Sequence, residues 1–436
     1  MRKRIEALEA ELRSAKRQAS PFSRDSQTAN PKKPGRKPGQ GEFSFRQPPL
    51  EQDIRLTEYV PLNRCPLCGG ELTDKQPHEN IQVDIPRPLP VYTRFSTESG
   101  WCPHCRRRVR SRHSDQTSTA SGAAGVCIGP CAKAVAADLH HRLGVPYAKI
   151  ADHFQTVAGV KVTPGGLCQA DERLAQKLHP VYKELIAALR LCCAVHSDET
   201  GWRIGILSAW LWVFTSREIT VYVINESRGH EVVVEILGRS FRGVLIGNCF
   251  LAYDHKDFAG WIHQKCFAHF LKTLKQMEAD KTRGAVNFPR ETAAVLREAL
   301  ALRDEKPTLS AKAFAEKLRQ IELRLDALIA VTRRFSDPDN RRFAKRLRKH
   351  RKHLFTFLTH RGVDATNNAA ERMLRPAVIV RKTGACNKTE NGATTHSVLA
   401  SMLQTARQKA IDGIGYLSKV LTAPDRAPAL LPLAPS

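Results

Sequence analysis

The sequence predicts an α+β multidomain protein, and three observations support this prediction. Apolar and β-branched segments cluster in residues 190–254, with turn residues between them. Residues 270–362 instead have helical periodicity and are heavily basic. Two cysteine pairs lie in residues 60–112, where regular periodicity is weak. A chain of 436 residues has room for about two to four domains and a sizeable core.

The composition favours a folded protein that binds polyanions. The formal net charge is +26, with 26% charged and 42% apolar residues. A charge of this size attracts nucleic acid but says nothing about the fold. We find no run of eighteen apolar residues, so we predict no membrane span. Met1-Arg2-Lys3-Arg4 is not followed by the apolar stretch of a secretory signal. We therefore expect a cytoplasmic location, where twelve cysteines favour metal binding over disulfides.

The N-terminal residues predict a short helix and then a basic arm. Residues 1–20 have apolar positions with heptad spacing, at Ile5, Leu8, Leu12, Ala15 and Ala19. This pattern suits a short coiled coil or an isolated surface helix. Residues 21–58 are rich in Ser, Pro, Lys and Arg and cannot form a core. They are either a linker or an arm that places Arg36 and Lys37 in a minor groove or along phosphates.

A zinc-binding module is predicted for residues 59–115. Two Cys-x-x-Cys turns, Cys65–Cys68 and Cys102–Cys105, each direct two thiolates at one point. Four thiolates form a closed tetrahedral zinc site, which implies a structural rather than a catalytic ion. Residues 82–97 have room for a hairpin between the turns. The alternative is two reduced cysteine turns without metal.

Residues 125–185 predict a helical domain that resembles a helix-turn-helix. Thr163 is a suitable N-cap and Pro164 a suitable first helical residue, so the second helix includes residues 167–178. Asp171 and Glu172 on that helix are unfavourable for a surface that faces DNA. The element therefore either reads DNA or serves only as helical packing.

Residues 190–420 predict a mixed sheet with a large helical insertion at about 270–362. The expected order is three strands, a helix and a strand: 192–200, 209–215, 219–224, 229–237 and 243–250. Residues 262–266 are a candidate fifth strand. With Asp198 on the first strand, this order fits a ribonuclease-H-like mixed sheet. Residues 421–436 are rich in Ala, Pro and Leu and are expected to be disordered.

Two segments in the second half of the chain combine charge with helical character. Residues 343–357 form a basic run, which either solvates a helix face or follows DNA. Farther on, Glu371 lies on a short helix that Asn367 or Asn368 can cap and Pro376 can end. An acid at a strand end and an acid on a basic helix suit metal-dependent phosphodiester chemistry.

In their order along the chain, these motifs resemble the bacterial insertion-sequence-66 transposase family. The passages that carry the resemblance are Pro34–Gly39, the two Cys-x-x-Cys turns, His196–Thr200, Phe241–Leu245 with Ala252–Asp254, Cys266–His269, and Asn367–Arg372 with Leu374–Pro376 and Arg381–Lys382. The resemblance covers roughly residues 30–420. It implies a ribonuclease-H-like catalytic core, preceded by the zinc-binding module and the helix-turn-helix-like domain.

The resemblance implies cut-and-join chemistry on DNA, with two magnesium or manganese ions between an Asp-Asp-Glu set. Asp198 matches the first position and Glu371 the third, and both are expected to bind the metal. Asn248 matches the second position, where an amide brings no charge, so activity is expected to be impaired. Asp254 is the alternative second acid. The expected DNA-binding residues are basic: Arg36, Lys37, Lys345, Arg346, Lys349, Lys352, Arg372, Arg375, Arg381 and Lys382.

The implied partner is double-stranded DNA, as element ends and target. A homo-oligomer on DNA, accessory element-encoded proteins and a nucleoid association are also expected. Two competing functions are a non-catalytic DNA-binding protein derived from a transposase and a ribonuclease-H-like nuclease. Glu199 is interpreted as structural, His196 as hydrogen-bonded, and Cys266 with His269 as a structural pair rather than a second zinc site.

Overall fold

The structure is a computed structural model that describes residues 47–86, 88–117, 126–423 and 427–430. The helix expected in residues 1–20 and the arm residues Arg36 and Lys37 lie outside the described residues. The chain divides into two compact units, Met1–Pro88 and Leu89–Ser436. Each unit is described by itself.

The first unit contains a short 3₁₀ helix, Glu51–Asp53, and the turn of the first cysteine pair. Two backbone hydrogen bonds close this turn. Cys65 donates its N–H to Gly70 O at 3.0 Å, and Gly69 donates to Cys65 O at 2.8 Å. Gly69 has a φ of 76°, which a residue without a Cβ adopts readily.

The second unit begins with a two-stranded antiparallel hairpin, β1 (Ser99–Cys102) and β2 (Arg107–Arg110). Its tip contains the second cysteine pair. The hairpin predicted within residues 82–97 is wrong, since the described residues of that span contain no strand. Prolines at positions 86, 88 and 90 explain this, because each removes a backbone donor that a ladder needs.

Three helices follow: α1 (Pro130–Ala137), α2 (Tyr147–Ala158) and α3 (Pro164–Arg190). A π-helical turn, Asp138–Arg142, continues from the end of α1. Gly159 ends α2 in the left-handed conformation, and Thr163 caps α3 through a hydrogen bond from the Gly166 N–H. The predicted N-cap and first helical proline are therefore confirmed, but α3 has 27 residues and extends well beyond Leu178.

The central sheet has five strands: β3 (Ala194–Ile204), β4 (Leu207–Thr215), β5 (Thr220–Asn225), β6 (Val244–Gly247) and β7 (Ile262–Lys265). Their order is β5-β4-β3-β6-β7. The first three strands pair antiparallel, whereas β3–β6 and β6–β7 pair parallel. Helix α4 (His230–Leu237) makes the crossover to β6. The predicted mixed sheet and its fifth strand are thus present, although β6 is shorter than expected.

A helical insertion follows β7. It contains α5 (Phe267–Asp280), α6 (Asn287–Glu305), α7 (Ala311–Leu328), α8 (Pro338–His350) and α9 (Thr356–Thr359). Apolar residues of α5–α9 form a core with Val244 and Ile246 of β6. The insertion therefore packs against the sheet.

Three helices complete the chain: α10 (Asn368–Gly384), α11 (Glu390–Gln408) and α12 (Gly413–Thr422). Ala427 and Leu430 are buried in the same apolar core as α12, so the described part of the predicted disordered tail is packed. No described helix has the length and hydropathy needed to cross a membrane.

Candidate active site

The candidate site is centred on Asp198 in β3, the middle strand of the sheet. Asp198 pairs with Val213 of the antiparallel strand β4, and only 9% of the Asp198 surface is exposed to solvent. The parallel neighbour β6 ends at Gly247, so Asn248 directly follows the strand end. This topology brings two residues fifty positions apart into contact.

The amide of Asn248 contacts the Asp198 carboxylate through its nitrogen. Asn248 Nδ2 donates to Asp198 Oδ1 at 3.3 Å, while Asn248 Oδ1 accepts the Phe250 N–H at 2.8 Å. The Phe250 N–H therefore holds the amide oxygen away from Asp198. In this arrangement Asn248 acts as a hydrogen-bond donor to the carboxylate.

Glu371 reaches the site from the first turn of α10. The residue before this helix, Asn367, is fully buried and connects it to β3. Asn367 Nδ2 donates to Ser197 O at 2.9 Å, and its Oδ1 lies 3.3 Å from His196 Nδ1. The start of α10 is thus bonded to the two residues that precede Asp198.

Two expectations for α10 are wrong. Asn367 makes no side-chain cap hydrogen bond, because its amide is used in the contacts to β3. Pro376 lies inside the helix, which continues to Gly384. Apolar packing against β3 and β4 by Ala370, Leu374, Ala377 and Val380 outweighs the one helical hydrogen bond that a proline removes.

Two further carboxylates, those of Glu199 and Glu371, lie near the buried carboxylate of Asp198. Burial, together with the charges of Glu199 and Glu371, raises the pKa of Asp198 to about 7. The Glu199 backbone N–H donates to Asp198 Oδ1 at 3.0 Å and partly opposes this shift. A cation would stabilise the ionised form of the buried Asp198 beside these acids.

Glu199 has partners of its own on a different side of β3. Its carboxylate accepts hydrogen bonds from Arg228 Nη2 at 2.8 Å and from Tyr253 Oη at 3.0 Å. Arg228 stacks over the rings of Trp210 and Phe250, at 4.1 and 4.0 Å from the ring centres. These contacts agree with the interpretation of Glu199 as structural. His196 is also hydrogen-bonded and buried, as expected.

Asp254, the alternative second acid, has basic partners. Its carboxylate accepts from Lys265 Nζ at 2.8 Å and from Lys349 Nζ at 2.7 Å, and His350 Nε2 lies 3.7 Å away. Burial opposes ionisation of Asp254, but the lysines outweigh it and lower the pKa of this carboxyl. Asp254 therefore forms an ion-pair cluster at the base of the insertion.

A third group of side chains lies beside Glu371. Cys266 Sγ, a ring nitrogen of His269 and a Glu371 carboxylate oxygen are all within 4.8 Å of one another. Cys266 precedes α5, and its thiol accepts the Asn367 N–H at 3.1 Å. The cysteine–histidine spacing was visible in the sequence, but the proximity of Glu371 was not.

The basic residues predicted to bind DNA have different surroundings. Lys345, Lys352, Arg372, Arg375 and Lys382 are exposed. Arg346 lies over the Phe270 ring at 5.3 Å, and Lys349 is paired with Asp254. Arg381 is half-buried and donates to Thr200 Oγ1 at 3.0 Å and to Gly201 O at 2.5 Å.

The two cysteine pairs belong to different units of the chain. Hydrogen bonds from the Leu67 and Cys68 N–H groups lower the pKa of the Cys65 thiol. In the second pair, the Cys105 N–H lies 3.4 Å from the Cys102 sulfur and lowers the pKa of the Cys102 thiol. Such turns favour the thiolate form that binds metal. The four-cysteine zinc site stays a prediction.

Helix α3 carries a buried acid instead of an exposed one. Asp171 is 1% exposed and accepts a hydrogen bond from Tyr147 Oη at 2.8 Å, with His141 Nε2 at 3.2 Å. His141 Nδ1 lies 3.0 Å from His396 Nδ1 on α11. Asp171 therefore belongs to the interior of the helical domain and takes no part in a DNA-facing surface.

Sequence reasoning did not identify Asn367 and Arg228 as residues that position the site. The doubled asparagine before the Glu371 helix was a signal for Asn367, but it was interpreted as a cap. Arg228 lies in an ordinary turn before α4, and no local pattern relates it to Glu199.

Two comparisons relate this chain to known proteins. The chain is 26% identical over 246 residues to "Uncharacterized protein y4qI" of Sinorhizobium fredii (strain NBRC 101917 / NGR234). That match covers 49% of this chain and 43% of the relative, so the chain spans less than half the relative's length. The family model described as "Transposase IS66 family" matches residues 125–395, which is more than half of the chain and includes Asp198, Asn248 and Glu371. The chain belongs to the Transposase IS66 family.

Proposed function

We propose that this protein binds insertion-element ends and catalyses metal-dependent DNA strand cleavage and transfer. The Asn248–Asp198 hydrogen bond carries the proposal, together with the charge of Glu371, which acts on the pKa of Asp198 from the first turn of α10. Family membership supports transposition as the process and DNA as the partner.

The sheet supports a ribonuclease-H-like core. Three antiparallel strands are followed by a helix and a parallel strand, and Asp198 lies on the strand at the centre. Asn248 follows the end of the adjacent parallel strand, where ligands of open α/β sheets commonly bind. The insertion between β7 and α10 separates the third member, Glu371, from the first two in sequence.

The donor atoms fit one hard divalent ion better than two. Asp198 and Glu371 offer carboxylate oxygens, which magnesium and manganese prefer. Asn248 offers its NH₂ group to Asp198 while the Phe250 N–H occupies its oxygen. Asp198 and Glu371 would hold such an ion, which would supply activation of the attacking hydroxyl or water and charge stabilisation of the leaving oxygen.

The chain's own residues prepare the site for a polyanion. Asn367 fixes the beginning of α10, so that Glu371 stays near Asp198. The exposed Arg372 and Arg375 on the same helix offer cations to phosphates. Lys345 and Lys352 extend the basic surface on the insertion, and Arg36 and Lys37 add a basic arm.

The remaining assignments follow from the same proposal. Zinc held by Cys65, Cys68, Cys102 and Cys105 would be structural, because four thiolates leave no open position. Strand transfer joins two element ends to one target, which favours a homo-oligomer on double-stranded DNA. Accessory element-encoded proteins and association with the nucleoid belong to the same proposal.

A second function is a DNA-binding protein without catalysis. The Asn248–Asp198 hydrogen bond favours it, because a neutral donor stands where a second carboxylate would hold metal. A strand-joining assay separates the two functions. It uses purified full-length protein, magnesium or manganese, and candidate element ends, with Asn248→Asp and Asp198→Ala run in parallel. Joining that Asp198→Ala abolishes supports the transposase, and DNA binding without joining by wild type and Asn248→Asp supports the second function.

A further inference from the structure

Cys266, His269 and Glu371 form a mixed ligand cluster beside the Asp198–Asn248 pair. Cys266 precedes α5 and His269 lies in its first turn, so their side chains share one end of the helix. Glu371 arrives from the first turn of α10. One thiol, one imidazole and one carboxylate thus have ligand atoms within 4.8 Å of one another.

Backbone N–H groups surround the buried sulfur of Cys266. Cys266 is fully buried, and its Sγ accepts the Asn367 N–H at 3.1 Å. Burial raises the pKa of the Cys266 thiol, and the charge of Glu371 adds to this, whereas the backbone N–H groups of Asn367, His269 and Ala268 oppose it. A metal ion bound at this sulfur would replace the thiol proton, and the three N–H groups would stabilise the resulting thiolate.

The imidazole of His269 has an unsatisfied atom at this position. Its Nδ1 is buried and has no hydrogen-bond partner among the described residues. The closest charged oxygen is Glu371 Oε1, at 3.9 Å, which is too long for a hydrogen bond. A buried ring nitrogen that faces a carboxylate and a sulfur without bonding either one requires a physical explanation.

We propose that Cys266, His269 and Glu371 bind a divalent ion of the zinc class, such as Zn²⁺ or Co²⁺. Thiolate and imidazole ligands select these ions over magnesium and calcium. Tetrahedral ligation at the usual bond lengths places ligand atoms about 3.3–3.8 Å apart, so the cluster must contract slightly. His269 and Glu371 can adjust, since their side chains are 39% and 41% exposed.

Three protein ligands leave a fourth position for water or another oxygen ligand, unlike the four-cysteine zinc module. Glu371, in the first turn of α10, would then have two roles: one beside Asp198 and one as a ligand in this cluster. The inference goes beyond the proposed function, because ion binding here requires neither DNA nor strand joining. It revises the interpretation of Cys266 and His269 as a merely structural pair.

Cobalt titration of the full-length protein tests the proposal. Cobalt bound to a thiolate absorbs in the near ultraviolet, and elemental analysis gives the number of ions per chain. Cys266→Ser should bind one cobalt fewer than wild type and lose the corresponding absorbance. The matched control is Cys168→Ser, a half-buried cysteine on α3, which should equal wild type.

His269→Gln provides an independent test, because this half-exposed position tolerates substitution even if Cys266→Ser fails to fold. It should weaken cobalt binding at this site by more than about tenfold. Equal stoichiometry and equal absorbance in wild type and His269→Gln would overturn the proposal. Cys65→Ser identifies the contribution of the separate cysteine module. Failure of strand joining would leave all these measurements unchanged, so the two proposals can fail independently.

Discussion

The side-chain amide of Asn248 donates a hydrogen bond to the carboxylate of Asp198, with 3.3 Å between Nδ2 and Oδ1. This contact partly compensates the buried charge of Asp198 without supplying a second negative ligand. A carboxylate at the same place would instead repel Asp198 until a cation bound between them. The side chain at position 248 therefore determines how much negative charge a metal ion at this site would balance.

We predict that Asn248→Asp increases magnesium-dependent strand joining. The new carboxylate supplies a charged ligand, and a gain of about 1.4–2.7 kcal/mol in transition-state stabilisation corresponds to roughly 10- to 100-fold in rate. The measurement is a single-turnover joining assay with candidate element ends.

Three variants control that experiment. Asp198→Ala should abolish joining both alone and in combination with Asn248→Asp. Asn248→Ala should not exceed wild type, because it adds no ligand. If wild type already joins efficiently and Asn248→Ala leaves the rate unchanged, the assignment of the second position is incorrect.

Asn367→Ala is expected to destabilise the protein and lower its activity together. The change leaves the Ser197 carbonyl and the His196 ring without their partner, which costs about 1–3 kcal/mol in the free energy of unfolding. Denaturant unfolding measures this loss. Asn368→Ala, at the exposed neighbouring position, should change stability by less than about 0.5 kcal/mol.

DNA binding is predicted to depend steeply on salt, and the structure indicates which lysines carry most of this dependence. Lys349 is neutralised by Asp254, whereas Lys345 and Lys352 are exposed. Lys345→Gln combined with Lys352→Gln should reduce the slope of log K against log salt by about two. Lys312→Gln with Lys317→Gln removes the same charge from α7 and should leave the slope unchanged. An identical slope for both pairs would place the DNA path elsewhere.

One tightly held zinc is predicted at Cys65, Cys68, Cys102 and Cys105. Because metal binding by thiolates is coupled to folding, a chelator should increase proteolysis within residues 59–115. Elemental analysis of protein purified without chelator checks the ion, and Cys65→Ser with Cys102→Ser should remove it. Protein that contains no zinc before any mutation would contradict the prediction.

The buried Asp171 predicts an unusual pH dependence of stability. Burial raises its folded pKa to about 7, above the ordinary value of 3.8, so the folded protein retains a proton that the unfolded chain releases. The contribution of Asp171 to stability therefore decreases as the pH rises from about 4 to about 7.

Asp171→Asn isolates this effect from the other titrating groups. Relative to this variant, wild type should lose about 2–4 kcal/mol over that pH range, measured by urea unfolding. The neighbours His140, His141, Tyr147 and His396 are present in both proteins, so their contributions largely cancel. A difference that is constant with pH would show that Asp171 ionises normally.

The strands, the α4 crossover and the helical insertion were predictable because their apolar periodicity is local. Thr163 and Pro164 likewise mark the start of α3 within two residues. Asp198 also lies, as expected, on the first strand of the predicted series, β3.

The misassignments involve long-range contacts that a local pattern does not contain. Asn367 is suited to an N-cap, but Ser197, distant in sequence, uses its amide. Pro376 normally ends a helix, and only packing against β3 and β4 overrides that tendency. The burial of Asp171 was not predicted, because Tyr147 and His141 are its neighbours only in the folded chain.

The polar chain Asp171–His141–His396 links α3 to α11, and Leu174, Leu178 and Leu185 of α3 share an apolar core with Trp212 of β4. The helices before the sheet and the sheet itself are therefore not interchangeable modules. Exchange of residues 126–190 between diverged relatives would separate Asp171 and His141 from their partner His396. Chimeric proteins should tolerate junctions before residue 126 better than junctions near residue 190, which suggests that recombination between such elements preserves this whole block.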